Sequence, residues 1–255
     1  MRTKRPGDAA TFFDTVALGY DRAYDARTAN GHALRARLSV ALGLIGSGPG
    51  DVLDAGMGPG RLCEELARRG WRAHGVDASR EMVEAARARL PEARERLCHA
   101  PIEELPFDRG SFDVVVATGV LEYSQIELAL GELTRVLRPG GKAVVSYPNP
   151  LAAYGIWKTR VYYPTLRAGA RLVGRSRSDL PPGTGRIAPE RFTERLERAG
   201  LMPTTSEYTS FLALPSPLEQ LAPATAVWLG ERLEGANPRL GRWLGTQIVY
   251  GARKP

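Results

Sequence analysis

The sequence has few of the features that are typical of secreted or membrane proteins, namely disulfide-forming cysteines and long apolar runs. Its 255 residues contain two cysteines, Cys63 and Cys98, which form neither a disulfide framework nor a zinc-binding spacing. No apolar run approaches the roughly 18 residues that a membrane-spanning helix needs. The basic start of the chain lacks the apolar stretch of a signal peptide. We therefore expect a cytoplasmic protein, and no cluster of His, Asp and Glu predicts a metal site.

Lysine is also scarce, with four residues in the chain, so arginine carries most of the formal net charge of +7. The charge is unevenly placed. Residues 151–187 contain seven basic residues and one acidic residue, and the first five residues contain three more basic ones. The rest of the chain is close to neutral, which disfavours a protein that binds nucleic acid over a broad basic surface.

The remaining sequence alternates between strand-like and helix-like segments. After two predicted helices within residues 10–46, we predict strands at 51–55, 72–77, 94–99, 112–117 and 142–147, with helices at 61–69, 79–90 and 125–137. A Pro- and aromatic-rich stretch at 148–187 interrupts this order. A helix at 188–199 and strands at 204–211 and 246–250 follow. This order predicts a parallel sheet with helices on both faces, which binds ligands at the carboxyl ends of its strands.

A glycine loop follows the first predicted strand, in the sequence Asp54-Ala-Gly-Met-Gly-Pro-Gly60. A dinucleotide motif, G-x-G-x-x-G, requires a third glycine at position 61, where the chain has Arg61. Pro59 also lacks a backbone donor for a pyrophosphate. The carboxylate of Asp54 would repel a pyrophosphate but suits a ligand with an ammonium and a sulfonium. We therefore predict S-adenosylmethionine as the ligand.

A second acidic residue, Asp77, ends the second predicted strand about 20 residues after the glycine loop. A carboxylate at this place accepts hydrogen bonds from ribose hydroxyls. This feature fits a nicotinamide dinucleotide and S-adenosylmethionine equally well, so it predicts an adenosine ligand without choosing between them. Because Arg61 stands where the dinucleotide motif requires a glycine, a dehydrogenase that binds a nicotinamide dinucleotide is disfavoured.

Two further motifs come in order along the chain: Ala-Pro-Ile-Glu-Glu-Leu-Pro-Phe-Asp at 100–108, leading to Ser-Phe-Asp at 111–113, and Arg-Val-Leu-Arg-Pro-Gly-Gly-Lys at 135–142. With the glycine loop and Asp77, they make residues 51–147 resemble the class I S-adenosylmethionine-dependent methyltransferases. The nearest pattern is that of the ubiquinone and menaquinone biosynthesis methyltransferases.

This resemblance implies an α/β fold with a Rossmann-like, doubly wound sheet of seven strands, mostly parallel with the last strand antiparallel. It further implies N-terminal lid helices at 1–46 and a cofactor-binding domain at 47–255. An insert after the fifth strand, at 148–187, would cover the acceptor. Its arginines and aromatics fit an acidic or lipidic acceptor, an anionic membrane surface, or simply a solvated helical face.

The resemblance also implies which residues contact the cofactor. In the glycine loop, Asp54, Gly56 and Gly60 would hold the methionine part, together with Ala55 and Gly58, while Asp77 holds the ribose. Four residues would surround the adenine: Ala78, Met82, Pro101 and Ile102. Pro101 stands where the family usually has an acid that binds the adenine amino group. Thr118 and Gly119 would lie beside the methionine.

Three residues are candidates for direct contact with the substrates. Tyr20 belongs to a segment that resembles the family's lid helix, whose Tyr reaches the cofactor. Tyr123 stands near the place of a family His after the fourth strand, where packing is an equally good interpretation. His32 lies on an N-terminal helix that would cap the site.

The predicted function is methyl transfer from S-adenosylmethionine to a small molecule, at an oxygen of a specialised, quinone-like or lipid-like metabolite. An alternative is a protein of the same fold that binds the cofactor without methylating, acting as a cyclase or a regulatory partner. A nucleic-acid methyltransferase is disfavoured because the fourth strand is followed by Thr118-Gly-Val-Leu-Glu-Tyr123, without the Asn/Asp-Pro-Pro-Tyr motif.

Overall fold

Two helices begin the fold in the computed structural model, which describes residues 6–172, 187–234 and 238–255. They are α1, Pro6–Asp25, and α2, Ala29–Ile45. Thr28 ends the turn between them, because its side-chain hydroxyl accepts a hydrogen bond from the Gly31 backbone N–H at 3.1 Å and thereby caps α2.

Seven strands form one sheet in the order β3-β2-β1-β4-β5-β7-β6. The strands are β1 Asp51–Ala55, β2 Arg72–Asp77, β3 Leu97–His99, β4 Phe112–Ala117, β5 Leu137–Pro148, β6 Met202–Phe211 and β7 Gly245–Arg253. The pairs among β1 to β5 are parallel, whereas β7 runs antiparallel to both β5 and β6. The predicted fold class, including the antiparallel last strand, is confirmed.

Helices cover both faces of this sheet. One face carries α2, α3 (Arg61–Arg68) and α4 (Arg80–Arg89), and the other carries α5 (Ile126–Val136) and α8 (Pro189–Arg198). Alternate residues of β4 point to opposite faces, as the pleat of a strand requires. Val114 and Val116 pack on the α2 side, while Val115 packs on the α5 side.

The structure changes several of the predicted boundaries, among them those of the third and fifth strands. The predicted strand at 94–99 is reduced to Leu97–His99, because Pro91–Arg96 form a 3-10 helix that buries Ala93. The fifth strand, predicted at 142–147, extends over Leu137–Pro148, so that the Pro-Gly-Gly segment at 139–141 lies within β5. There the pairing of β5 with β4 is irregular between Phe112 and Val114, and Gly140 has φ +74°. Glycine tolerates this left-handed conformation at little cost.

A group of helices, called here the cap helices, lies beyond the carboxyl edge of the sheet. After β5 come α6 (Ala153–Trp157), a π-helical turn (Lys158–Tyr162) and α7 (Tyr163–Leu172). After β6 come α9 (Leu218–Leu221), α10 (Pro223–Leu233) and α11 (Pro238–Leu244). The predicted insert ends at 187, and its residues 173–186 lie outside the described part of the chain. Within the described segments, no helix is long and apolar enough to cross a bilayer.

Candidate cofactor site

The glycine loop between β1 and α3 is held against β2 by its own backbone. Gly56 N–H and Met57 N–H both donate to the carbonyl of Val76, at 2.8 and 3.0 Å. Gly56 has φ +84°, and a Cβ added there would lie 2.7 Å from Cβ of Val120. At Gly58, with φ +52°, the nearest side-chain atoms would be 4.0 Å away, on Met82 and Tyr20. The loop is therefore packed from below at Gly56 and open at Gly58.

Asp77, at the end of β2, holds this loop in place through its carboxylate. One oxygen accepts a hydrogen bond from Gly58 N–H at 2.8 Å, and the other accepts one from Ser79 N–H at 2.9 Å. Burial raises the pKa of Asp77. Each carboxylate oxygen has a further lone pair, so Asp77 can also accept hydrogen bonds from a ligand's hydroxyls.

Asp54 lies in β1 just before the loop and is 2% exposed. Burial raises its pKa to about 7, although the thiol of Cys63 donates to it at 3.6 Å. Among the residues that the structure describes, no Arg, Lys or His forms an ion pair with Asp54. A buried carboxylate is costly without an opposite charge, so this position suits the ammonium of a ligand.

One cavity brings these groups together. Its lining includes eleven of the predicted cofactor residues: Tyr20, Asp54, Gly56, Gly58, Asp77, Ala78, Met82, Pro101, Ile102, Thr118 and Gly119. Two others lie beside it. Ala55 is buried in the sheet, and Gly60 forms the left-handed N-cap of α3, where a Cβ would lie 3.0 Å from Cβ of Ala86. We therefore expect these two residues to shape the loop from behind.

Aromatic rings form the wall on the side of α1. Phe13 packs edge-to-face on Tyr20, with ring centroids 6.1 Å apart, and on Tyr123, at 5.3 Å. Tyr24 continues this row 6.0 Å from Tyr20. Burial raises the pKa of Tyr123. The structure thus brings Tyr20 and Tyr123, predicted as substrate-facing residues, to one wall of the cavity.

Arg37 of α2 also lines this cavity, and the sequence analysis missed it. Its side chain is buried, and its Nη2 donates to the Tyr20 hydroxyl at a long 3.5 Å. A Cβ added at Gly119 would lie 2.7 Å from the same atom, so the glycine makes room for the guanidinium. Arg37 is the only Arg, Lys or His among the described residues that line the cavity. Its place between Leu34 and Ala41 on the buried stripe of α2 was the signal available in the sequence.

The structure does not bring His32 to this cavity, which corrects its prediction as a substrate-facing residue. Its ring is buried against Gly230 of α10, and its Nε2 lies 3.3 Å from a carboxylate oxygen of Glu234. His32 and Arg37 are five residues apart on α2, so their side chains leave the helix in directions about 140° apart. Only the direction of Arg37 leads to the cavity.

Ion pairs fasten α1 beside the glycine loop. Asp21 accepts from Arg61 Nε at 2.7 Å and from Arg89 Nη2 at 2.7 and 2.8 Å. Arg61 also contacts Asp25 at 2.5 Å. The residue that breaks the dinucleotide pattern at position 61 therefore connects α3 to the helix that supplies Tyr20.

The sheet order, the glycine loop and the two carboxylates at strand ends define a class of Rossmann-like proteins that bind the nucleoside and amino-acid parts of S-adenosylmethionine. The family model described as a methyltransferase domain matches residues 53–145. The demethylmenaquinone methyltransferases of Clavibacter sepedonicus and Renibacterium salmoninarum are each 32% identical, over 60% and 69% of this chain. The ubiquinone/menaquinone biosynthesis C-methyltransferase UbiE of Syntrophotalea carbinolica is 37% identical over 58% of this chain.

These matches cover 64%, 73% and 67% of the respective relatives' own lengths. A solved structure, the 1,6-didemethyltoxoflavin-N1-methyltransferase of Burkholderia thailandensis with bound S-adenosylhomocysteine, has a similar fold. It has a TM-score of 0.57 and 18% identity, over 100% of this chain and 92% of its own. The chain belongs to the class I S-adenosylmethionine-dependent methyltransferases. It is an enzyme of that kind, and S-adenosylmethionine is its cofactor.

Proposed function

We propose that this enzyme methylates a flat, lipophilic, oxygen-bearing small molecule of the quinone-like kind. The observation that carries the proposal is the edge-to-face row of Phe13, Tyr20 and Tyr123 along the cavity. Rings in this arrangement present apolar surface to a planar acceptor. The quinone substrates named for the relatives support the same class of acceptor. We place the reaction in the cytoplasm, where Cys63 and Cys98 would stay free.

We infer that the two buried charges in the cavity hold the amino-acid end of the cofactor. Asp54 would bind the ammonium, and Arg37, which lies against Gly119, would bind the carboxylate. Asp77 would accept from the ribose hydroxyls while it keeps its bonds to the loop. Met82 and Ile102 would enclose the adenine. The bound cofactor supplies an activated methyl group, and these residues fix where that group points.

We propose that α1 acts as a lid over this site. It supplies Phe13, Tyr20 and Tyr24 to the cavity, and its pairing with Arg61 and Arg89 holds it beside the glycine loop. A lid of this kind excludes water and orders the acceptor against the methyl group.

Methyl transfer is an in-line displacement that needs the acceptor atom at roughly 3 to 3.5 Å from the methyl carbon. An oxygen acceptor must also lose its proton. The carboxylates that line the cavity belong to Asp54 and Asp77, on the cofactor side, and to Glu103, which accepts from Gln125 N–H at 2.8 Å. We therefore propose that the acidic hydroxyl of the acceptor gives its proton to water and that Tyr123 orients the resulting oxygen. The methyl carbon then passes from the sulfonium to this oxygen, S-adenosylhomocysteine leaves, and alignment supplies most of the rate.

The test is to incubate the enzyme with methyl-labelled S-adenosylmethionine and reduced short-chain naphthoquinols. We expect a singly methylated quinol, with the label on oxygen by mass spectrometry and NMR. Label on a ring carbon would refute the oxygen acceptor but retain the acceptor class. No quinol product alongside efficient methylation of an aliphatic amine or acid would overturn the proposal. The Asp77→Asn variant serves as the inactive control.

A further inference from the structure

The cap helices expose an unusual share of the large apolar side chains. Three of the four tryptophans in the chain lie there with their side chains exposed: Trp157 at 39%, Trp228 at 55% and Trp243 at 55%. Of the nine large hydrophobic residues exposed in the described part of the chain, seven belong to the cap helices. We call these seven the tryptophan face: Trp157, Val161, Leu218, Leu221, Trp228, Leu240 and Trp243.

The cap helices that carry this face are joined to one another. The indole N–H of Trp157 donates to the Ser216 carbonyl at 2.8 Å, just before α9. Tyr154 OH donates to Glu219 of α9 at 2.9 Å. In addition, α6 packs against α11, and α9 packs against α10. The segments after β5 and after β6 therefore form one structural unit.

This unit lies at the same edge of the sheet as the cofactor cavity. Helix α6 follows the carboxyl end of β5, and α9 follows the carboxyl end of β6, while the glycine loop follows the carboxyl end of β1. In parallel strands these ends meet at one edge. The helices that carry the tryptophan face therefore lie at the sheet edge where the acceptor is expected.

Positive charges are interleaved with the exposed rings. The guanidinium of Arg232 lies 5.7 Å from the ring of Trp228, and that of Arg242 lies 6.0 Å from the ring of Trp243. Lys158 lies 5.3 Å from the ring of Tyr154, and Arg160 is exposed two residues further along. Amphipathic rings beside cations match the boundary between acyl chains and anionic headgroups.

We propose that the tryptophan face docks this enzyme on the surface of a membrane that contains anionic phospholipid. A surface of amphipathic rings interleaved with cations complements a bilayer interface, where acyl chains lie beneath anionic headgroups. Arg232 and Arg242 lie beside Trp228 and Trp243 of the tryptophan face, where they can contact anionic headgroups. The sequence pointed only to the basic segment 151–187, whereas the face extends over α9, α10 and α11. The proposal extends the proposed function, because a lipophilic acceptor would enter from that membrane.

Co-sedimentation with vesicles tests the docking without any acceptor. We expect binding to vesicles of phosphatidylcholine mixed with phosphatidylglycerol, little binding to phosphatidylcholine alone, and weakening at high salt. Arg232→Glu with Arg242→Glu should lower the affinity at least about tenfold. Trp228→Ala with Trp243→Ala should lower it similarly. Arg94→Glu, at the β3 edge, is the charge control, and Leu128→Ala, on α5, is the apolar control. Both should bind normally.

Two outcomes would overturn the docking proposal. One is a lack of binding to the anionic vesicles, or binding that the paired variants leave unchanged. The other is a stable dimer or protein complex in solution that the tryptophan variants dissociate. S-adenosylhomocysteine affinity, which should stay at the wild-type value in every variant, reports that the fold is intact. Failure of quinol methylation would leave vesicle binding unaffected, so the two proposals fail separately.

Discussion

At the scale of single residues, we expect Asp54 to make cofactor binding depend on pH. Burial raises its pKa to about 7 in the free protein, and only the ionised carboxylate attracts an ammonium. Between pH 6 and pH 8 the ionised fraction rises roughly tenfold. We expect the affinity for S-adenosylhomocysteine to rise by about the same factor, as measured by titration calorimetry.

The same raised pKa affects the stability of the unliganded protein in the opposite sense. Because the folded-state pKa lies above the ordinary value of 3.8, the stability that Asp54 contributes is present below that value. It is lost as the pH rises through about 7. Asp54→Asn should flatten both pH dependences, and a pH profile of affinity that persists in this variant would refute the assignment.

Arg37 allows a second test at the residue scale. A lost hydrogen bond to a charged group costs about 1.5 to 3 kcal/mol, so Arg37→Gln should weaken S-adenosylhomocysteine binding about ten- to hundredfold. The control ligand is 5′-methylthioadenosine, which lacks the amino-acid end, so its affinity should not change. Arg37→Lys keeps the positive charge but lacks the planar guanidinium, so its affinity for S-adenosylhomocysteine should lie between those of the wild type and Arg37→Gln. Equal losses for both ligands would show that Arg37 supports the fold and not the carboxylate.

At the scale of elements, two separable constraints act on Gly56 of the glycine loop, namely its left-handed conformation and its packing against Val120. Gly70, outside the loop, is subject to the first constraint only. Gly70, which ends α3, has φ +86° and open space where a Cβ would be, so Gly70→Ala should cost about 1 kcal/mol from the left-handed conformation alone. Gly56→Ala has the same conformational cost and a clash with Val120, and should cost about 2 to 4 kcal/mol. Denaturant unfolding measures both changes, and similar values for the two variants would contradict the packing argument.

The attachment of α1 is the second property at this scale. Asp21→Asn removes the carboxylate that pairs with Arg61 and Arg89, each pair being worth up to about 1 kcal/mol at a partly exposed site. We expect faster hydrogen exchange in α1 and weaker S-adenosylhomocysteine binding, with little change in global stability. Glu65→Gln breaks an ion pair with Arg68 on α3 and should leave α1 exchange unaltered. Unchanged exchange in Asp21→Asn would refute the role of this contact.

At the scale of the whole molecule, the proposed cofactor contacts join parts that are distant in sequence. Arg37, Asp54, Asp77 and Gly119 come from α2, β1, β2 and the loop after β4. A ligand that binds only the folded state at a hundred times its Kd stabilises it by about 2.7 kcal/mol. We expect S-adenosylhomocysteine to raise the Tm accordingly, and to do so more at pH 8 than at pH 6. Methylthioadenosine should show no such pH difference.

Local sequence was sufficient to predict the sheet and half of the residues that line the cavity. The positions of the glycine loop and of Asp77 could be predicted because each lies at the carboxyl end of a strand. In a parallel sheet, these ends meet at one edge. The same reasoning failed for His32 and Arg37, because both lie on α2 and only the rotation of that helix against the sheet decides which one faces the ligand. Local sequence also could not show that α6 packs against α11, since the two are separated by β6 and its neighbours.

The sequence by itself determined the fold class, the cofactor and the carboxylates that would hold it, because strand periodicity, glycine conformations and an acid beside a glycine loop are local chemical requirements. Only the tertiary structure decided which cation enters the cavity, how Arg61 fastens α1, and that three tryptophans become exposed on one group of helices. These features depend on packing between elements far apart in the chain, and no local pattern encodes that packing.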